Sequence, residues 1–249
     1  MDFFTSFPYF FTMTLAVLAL RAGTPAARGR RGERRVGRKL RALRKEGYTI
    51  FHDIMVRRSD GRTSQIDHIA VGPAGVFVIE TKNRRGEIVG NDHEKKWHAG
   101  KSLFQNPVHQ NRTHISTLRE ILGDDTMHFV SMVIFPDRTD LRKVAPYGVF
   151  TMSEMVPEIL LQPSLFPEEC VRKVADAVRN ANITSRKVRR EHVRAIRRRL
   201  RHERLCLKFR RCPECGKRLT SYRRNDEKEY ICMHCGYDTL RTGRLPQRK

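Results

Sequence analysis

Two apolar runs of the sequence are joined by the four-residue segment Gly-Pro-Ala-Gly at 72–75, and this arrangement predicts a β-hairpin. The runs are residues 64–71 and 76–82. A symmetric turn pairs Val71 with Val76 and, further along, places Asp67 opposite Glu80. Opposed side chains have Cβ atoms about 4.5–5.5 Å apart, where like charges repel. The hairpin therefore predicts a compensating cation, and Mg²⁺ or Mn²⁺ suits carboxylate oxygens.

The same hairpin can be interpreted as a surface feature in which Lys82 neutralises Glu80 and Asp67 faces water. Alternation along the strands places both carboxylates on a face that also carries four apolar residues. These are Ile69, Val71, Val76 and Val78. Because such residues are expected to be buried, the pattern favours a functional site over an exposed hairpin.

The segment before the hairpin predicts a helix that ends at Gly47. Glu33, Val36, Leu40 and Leu43 recur at helical spacing and share one face, while arginines and lysines take the other. Glu33 on this apolar stripe has two interpretations: it lies at the edge of the core, or it points into a site.

Several segments between roughly residues 30 and 125 resemble, in the right order, the nuclease-related domain (NERD) family. They are Gly32-Glu33, Gln65-Ile-Asp-His68, Gly75-Val-Phe-Val-Ile-Glu-Thr-Lys82, Gly86, Trp97 and Asn106-Pro-Val-His-Gln110. Asp67 followed by Glu80-Thr81-Lys82 is also similar to the PD-(D/E)xK nuclease signature, although Ile66 stands where that signature has proline.

The resemblance implies an α/β fold with a restriction-endonuclease-like three-layer core and a mixed central sheet. It implies that Asp67 and Glu80 bind Mg²⁺ or Mn²⁺ and that Lys82 orients or deprotonates the attacking water. Glu33 would complete the acidic cluster, and Gln110 would position the substrate or the lysine. The expected function is a metal-dependent nuclease acting on DNA; the alternative is a non-catalytic nucleic-acid-binding or membrane-associated scaffold that retains the fold.

Other residues of the same region carry weaker predictions. His68 lies on the opposite face of its strand from Asp67 and is expected to be structural. Trp97 is expected to belong to the core or to form a lid over the site. The spacing of His109, His114 and His128 does not predict a metal site. Further along, 127–135 and 148–152 are predicted strands, and 167–180 is a predicted helix with Val171, Val174, Ala175 and Val178 on one stripe.

The N-terminal stretch at 3–20 contains no charged residue and, as a helix, would be about 27 Å long, close to the thickness of a bilayer core. A cleaved signal peptide and a buried or disordered segment are the alternatives. Because Asp2 precedes the stretch and arginines follow it, the pattern favours a single-pass anchor. The positive-inside rule then predicts an inner-membrane protein whose residues after Arg21 lie in the cytoplasm.

Two Cys-x-x-Cys pairs near the C-terminus, separated by 16 residues, predict a zinc ribbon. The predicted Zn²⁺ ligands are Cys212, Cys215, Cys232 and Cys235. The segment resembles the zinc ribbons of bacterial topoisomerases, which implies nucleic-acid contact through Lys217, Arg218, Tyr222, Arg223 and Arg224. A structural or protein-binding cap is the alternative.

The net charge of +23 is unevenly distributed, because residues 21–47 and 186–249 are strongly basic whereas 48–185 is balanced. The basic helix predicted at 184–207 suits nucleic acid, anionic lipid or simple solvation. The predicted organisation is a transmembrane anchor at 1–21, a basic tether at 22–31, a nuclease-like domain at 32–150, a helical basic segment at 151–207, a zinc ribbon at 208–240 and a basic tail at 241–249.

Overall fold

Three β-sheets and five α-helices make up the part of the chain that the computed structural model describes, residues 25–224 and 227–239. In chain order the elements are α1 (Pro25–Leu40), a 3-10 helix (Arg41–Glu46), β1 (Thr49–Arg57), β2 (Thr63–Gly72), β3 (Gly75–Thr81), β4 (Gly86–Gly90), β5 (Lys96–Ala99), β6 (Ser102–Gln105), α2 (Pro107–Leu122), β7 (Phe129–Phe135), β8 (Thr139–Val144), β9 (Val149–Thr151), α3 (Met155–Leu160), α4 (Glu168–Ala181), α5 (Arg186–Lys208), β10 (Thr220–Arg224) and β11 (Glu227–Ile231).

The five-stranded central sheet has the order β1-β2-β3-β7-β9. The first three strands are antiparallel, whereas β7 pairs in parallel with both β3 and β9. The predicted hairpin register is confirmed, because Val71 pairs with Val76 and Ile69 pairs with Val78. The predicted mixed α/β fold is likewise confirmed.

Helices cover both faces of the central sheet. On one face, Val36 and Leu40 of α1 pack with Phe77 of β3 in one core cluster. On the other face, Leu118 of α2 and Val178 of α4 belong to the cluster that contains the second face of the hairpin. The predicted stripe of α4 is confirmed, because all four of its members are buried. Gly47, with φ of 78°, ends the first helical run as predicted.

A second sheet of four strands, β6-β5-β4-β8, is absent from the sequence-based prediction. Its core contains Trp97, which is fully buried and packs with Phe104 and Phe135. Gly90 lies directly against the indole, since a Cβ there would be 2.2 Å from Trp97 Cγ. Of the two interpretations of Trp97, the structure therefore supports a core residue.

The prediction of a transmembrane helix is corrected by the structure. Within residues 25–224 and 227–239, no helix combines the length and the apolar composition that a bilayer crossing requires. The longest of them, α5, has 23 residues but carries basic side chains around most of its circumference. The predicted anchor at 1–21 lies outside the described residues. For the described residues, the fold is therefore corrected to mixed α/β without a membrane-spanning helix, and these residues give the predicted single-pass localisation no support.

At the N-terminal end of the described residues, the first helix begins within the predicted tether. Because α1 begins at Pro25, residues 25–31 of the predicted tether are helical. Alanine and arginine favour helices enough to outweigh the glycines of this stretch. The predicted basic tail at 241–249 lies outside the described residues.

The C-terminal helix and ribbon contact the α/β core at separate points. Arg189 of α5 donates to Asp53 of β1 through Nη1 to Oδ2 and through Nη2 to the backbone oxygen, each at 2.8 Å. At the far end, Lys95 Nζ donates to the backbone oxygen of Asp238 at 3.0 Å and lies 4.6 Å from the centre of the Tyr237 ring. Both basic elements are therefore attached to the body that carries the hairpin.

Candidate active site and cysteine cluster

The open end of the β2–β3 hairpin brings Asp67 and Glu80 together. Backbone pairing of the two strands ends at His68 and Ile79. Beyond that point, Asp67 Oδ2 accepts a hydrogen bond from the Thr81 amide at 2.8 Å, so a side chain takes over where the ladder stops. The two predicted carboxylates thus lie next to each other because the turn fixes their register.

The Asp67 carboxyl is in an environment that favours its neutral form. Burial raises the pKa of Asp67 well above its usual range, and the Glu80 and Glu33 carboxylates raise it further. The Thr81 amide and the Lys82 ammonium act in the opposite direction. A cation beside Asp67 would offset the repulsion and favour the carboxylate.

Lys82 is held between Glu80 and Gln110. Its Nζ donates to Glu80 Oε1 at 2.7 Å and to Gln110 Oε1 at 2.9 Å. Glu80 is only 2 % exposed. Burial tends to raise the pKa of Glu80, but the Lys82 ammonium and His114 together lower it below its ordinary value. The predicted helix that begins after Asn106 is confirmed as α2, and it carries Gln110 to the hairpin.

His114 is a site residue that the sequence-based prediction missed. It is buried, its Nδ1 lies 2.8 Å from Ser64 Oγ, and its Nε2 lies 3.4 Å from Glu80 Oε2. That last contact lacks hydrogen-bond geometry, so both atoms are buried without a hydrogen bond to any described residue. The available signal was the spacing from Gln110, because residues four apart on a helix share a face.

Glu33 lies at a cleft that opens beside the hairpin. The cleft has a volume of about 900 Å³, and its lining includes Glu33, Asp53 and Asp67. Burial raises the pKa of Glu33, as do the neighbouring Asp53 and Glu80 carboxylates. Glu33 therefore lines the cleft together with Asp67, and its place in an acidic metal site stays a prediction.

Two further residues of the cleft, His52 and Asp53, were not anticipated. Asp53 has a φ of 53°, in the left-handed region that few non-glycine residues adopt. His52 Nδ1 lies 2.8 Å from His68 Nδ1. Burial, followed by the neighbouring His52, lowers the pKa of His68 to about 4, so the ring is neutral at neutral pH. His68 therefore has the structural contact expected of it, and it also lines the cleft.

The carboxylates suit a divalent cation with few protein ligands. Glu80 Oε2 is buried without a hydrogen bond, and it stands beside a second carboxylate. Among the described residues, however, Glu33, Asp67 and Glu80 do not form a group whose ligand atoms all lie within 4.8 Å of one another. Mg²⁺ is commonly held by one or two carboxylates and completes its shell with water and phosphate, so the pair fits that ion.

The four predicted cysteine ligands form one compact cluster at the ribbon. Their Sγ atoms all lie within 4.8 Å of one another, and Cys212–Cys235 and Cys215–Cys232 are each separated by 3.5 Å. Zn–S bonds of about 2.3 Å in a tetrahedron require S–S separations of about 3.8 Å. All four thiols are free of disulfides. The cluster could hold a metal ion, and its chemistry is that of a zinc site.

The predicted nucleic-acid contacts of the ribbon differ in their availability. Lys217, Arg218 and Arg223 are exposed. Tyr222 is half-buried, and its hydroxyl donates to the Asp238 carboxylate at 3.0 Å. The side chain of Arg224 lies outside the described part of the chain.

A mixed α/β core that brings two carboxylates and a lysine of one hairpin next to a helical glutamine is the arrangement expected of a nuclease-related protein. A family model described as "Nuclease-related domain" matches residues 28–136. The chain is also 32 % identical over 182 residues to an uncharacterized protein of Bacillus anthracis, an alignment that covers 69 % of this chain and 85 % of that protein. The chain belongs to the nuclease-related domain family. No solved structure matches it significantly.

Proposed function

We propose that this protein is a metal-dependent nuclease that hydrolyses phosphodiester bonds in DNA. The observation that carries the proposal is the grouping of Asp67, Glu80 and Lys82 at the open end of one hairpin, where Glu80 is buried. Burying like charges side by side is costly unless a cation compensates, so a purely structural role would not favour this grouping. Family membership supports the same reading, and with it a restriction-endonuclease-like ancestry of the core.

In this proposal Asp67 and Glu80 hold Mg²⁺ or Mn²⁺ through their carboxylate oxygens. When bound there, such an ion lowers the pKa of a coordinated water and offsets negative charge on a phosphate. Glu33 supplies a third carboxylate from the wall of the cleft, and its raised pKa lets it retain a proton more readily than an exposed glutamate.

Lys82 is proposed to act on the phosphate and the water through its ammonium group. Of its three hydrogens, one is directed at Glu80 and one at Gln110, which leaves one for a phosphate oxygen or a water. Because both partners lie on packed elements, the ammonium is positioned before the substrate arrives. This arrangement suits stabilisation of the negative charge that develops during hydrolysis.

The C-terminal elements are proposed to bind nucleic acid. Zn²⁺ held by Cys212, Cys215, Cys232 and Cys235 would fix the fold of the ribbon, since two short strands alone form a marginal structure. The ribbon residues proposed to contact nucleic acid are Lys217, Arg218, Tyr222, Arg223 and Arg224. The exposed basic side chains of α5, the helix that connects the core to the ribbon along the chain, would extend this surface.

The test is cleavage of DNA by the purified full chain with Mg²⁺ or Mn²⁺. Asp67→Asn and Lys82→Met are each expected to reduce the rate by about 10² to 10⁴. Glu169→Gln and Lys173→Met are the matched controls, because these residues form an exposed pair at 2.8 Å, similar in length to the Lys82–Glu80 pair. Undiminished cleavage by Asp67→Asn, with the controls also active, would refute the assignment.

A second candidate function is a non-catalytic nucleic-acid-binding protein. It is favoured because, among the described residues, the three carboxylates do not form a group whose oxygens all lie within 4.8 Å of one another, and because Glu80 Oε1 is used in the ion pair with Lys82. This candidate predicts that the wild type shows no metal-dependent cleavage. It also predicts salt-sensitive DNA binding that persists in Asp67→Asn.

A further inference from the structure

Five arginines line the cleft beside the carboxylates. These five residues, which form an arginine row, are Arg31, Arg34, Arg38, Arg41 and Arg44. They lie three or four residues apart along α1 and the 3-10 helix, so they follow one side of a continuous helical run. The apolar residues of the same run are buried in the core, which fixes the side that faces the cleft.

No arginine of the row forms an ion pair with a described residue, although the charges of Arg34, Arg41 and Arg44 act at longer range on Glu33 and His52. Among the described residues, no carboxylate oxygen lies within 4.0 Å of a guanidinium nitrogen of the row, whereas Asp53 at the same cleft pairs with Arg189 of α5. All five side chains belong to exposed residues. Arg34 donates to a backbone oxygen of its own helix, at 3.3 Å. The row is therefore free to bind an external anion.

The row is long enough to contact more than one phosphate of a nucleic acid strand. Helical rises of about 1.5 Å per residue in α1 and about 2.0 Å in the 3-10 helix give a length of about 20 Å. One strand of a DNA duplex carries a phosphate about every 3.4 Å along the axis. Guanidinium groups also match the geometry of phosphate oxygens, which they can bind in pairs.

The carboxylates of the site would repel a nucleic acid unless nearby positive charges offset them. Glu33, Asp53 and Asp67 line the same cleft and would repel a phosphate backbone. The arginines on the neighbouring wall form no ion pairs with these acids, so their charges can offset this repulsion. The carboxylates then remain available to bind a cation. The row thus attracts the phosphates along the strand, and the carboxylates lie where one phosphodiester bond would be placed for hydrolysis.

We propose that the arginine row is the strand-binding wall of the cleft, holding the backbone phosphates of one nucleic acid strand and directing one of them to Asp67 and Glu80. This inference rests on the proposed function for the reacting end of the cleft. It assigns substrate binding to the first helix of the core in addition to the C-terminal ribbon. The row needs no base contacts, so binding through it is independent of sequence.

The test compares two double variants in an Asp67→Asn background, so that binding is measured without cleavage. Arg38→Ala with Arg41→Ala removes two members of the row. Arg35→Ala with Lys39→Ala is the matched control, because these exposed residues belong to the same helix but do not line the cleft. Fluorescence anisotropy measures the affinity for a labelled single strand and for its duplex between about 50 and 200 mM salt.

Removing two phosphate contacts is expected to make the slope of log K against log salt less steep by about 1.8 for the duplex or about 1.4 for the single strand. The control pair is expected to keep the parental slope. Lysine at positions 38 and 41 keeps the charges, so Arg38→Lys with Arg41→Lys should restore most of the slope if the effect is electrostatic. In the active background, KM should rise while kcat changes little.

Two results separate the possible failures. If the alanine and control pairs have the same slope, the arginine row does not bind the strand, and the proposed nuclease function is unaffected. If Asp67→Asn cleaves DNA as fast as the wild type, the proposed function fails whatever the slopes are. Loss of affinity without a change of slope, together with a lower melting temperature, would attribute the effect to folding and overturn the inference.

Discussion

Lowering the pH is expected to destabilise this protein through His68. The residue is 3 % exposed, and its Nδ1 lies 2.8 Å from Nδ1 of His52. Two ring nitrogens at this distance share one hydrogen, so a second proton would bring two N–H groups together. Burial and the neighbouring His52 lower the pKa of His68 to about 4.

The size of the effect follows from the difference between the pKa of His68 in the folded chain and its pKa in the unfolded chain. In the unfolded chain the histidine has its ordinary pKa of 6.5, whereas the folded value is about 4. Between these two values the unfolded chain binds a proton that the folded chain does not. The stability is therefore fully present above pH 6.5 and is lost as the pH falls towards 4. At about 1.4 kcal/mol per pH unit, the total loss is about 3 kcal/mol.

The assay is urea unfolding of the wild type and His68→Gln between pH 4 and pH 7.5. At pH 7.5 the variant is expected to be less stable by about 1 kcal/mol, because it loses the contact with His52. As the pH falls, only the wild type is destabilised by protonation at this position, because glutamine does not titrate. The free energy of unfolding of the wild type minus that of the variant should therefore fall by about 3 kcal/mol. Asp67 titrates in both proteins, so its contribution largely cancels.

A difference between wild type and variant that does not change with pH would refute the reasoning. That result would mean that His68 takes up its proton equally well in the folded and unfolded chains. A difference that increases as the pH falls would contradict the sign, since it would require the folded state to hold the proton more tightly.

Two further predictions concern the ion pair and the cysteine cluster. Lys82→Met leaves the buried Glu80 carboxylate without its cation, and it should lower the free energy of unfolding at pH 7 by about 3 kcal/mol in urea titrations; Lys173→Met, in an exposed pair, should lower it by less than about 0.5 kcal/mol. Elemental analysis of protein purified without chelator should find about one zinc per chain, and chelation should make all four clustered thiols reactive towards a thiol reagent. Equal losses in the two lysine variants, or a zinc-free protein with unreactive thiols, would contradict these expectations.

The part of the site that local sequence could predict lies on one hairpin. A turn of defined length fixes the register of two apolar strands. The juxtaposition of Asp67 and Glu80 therefore follows from counting five residues back from Gly72 and five forward from Gly75. Lys82 follows on the same strand. Helical periodicity similarly predicted the buried stripes of α1 and α4, because both helices bury one regular face.

The second sheet was missed because its information is not local. Its strands β4, β5 and β6 have only four or five residues and carry charged or polar side chains. The parallel partner of β4 is β8, and their register pairs Gly86 with Thr139, which lies far away along the chain. No short-range pattern specifies such a pairing. Trp97 becomes recognisable as a core residue only when this sheet is assembled.

The remaining site residues depend on tertiary packing in the same way. His114 reaches Glu80 because α2 packs across the sheet. The spacing between histidines in the sequence does not predict that contact. The arginines after residue 27 suggested the flank of a membrane anchor, since charge alone does not reveal its partner. Once α1 packs on β3 through Val36 and Leu40, some of these arginines, such as Arg31 and Arg34, line a cleft.

One buried amide on α2 determines how rigidly the site is presented. Asn111 is fully buried, and its Nδ2 donates to the backbone oxygen of Val78 at 2.7 Å and to Ser131 Oγ at 2.9 Å. The helix is thereby bonded to two adjacent strands, β3 and β7, at a single position. Rotation of α2 about its axis by one residue position would break these hydrogen bonds and move Gln110 away from Lys82. The alignment of the Lys82 ammonium therefore depends on the helix keeping this one position. If the proposed nuclease function holds, selection on catalysis would then also act on Asn111, although this residue is fully buried.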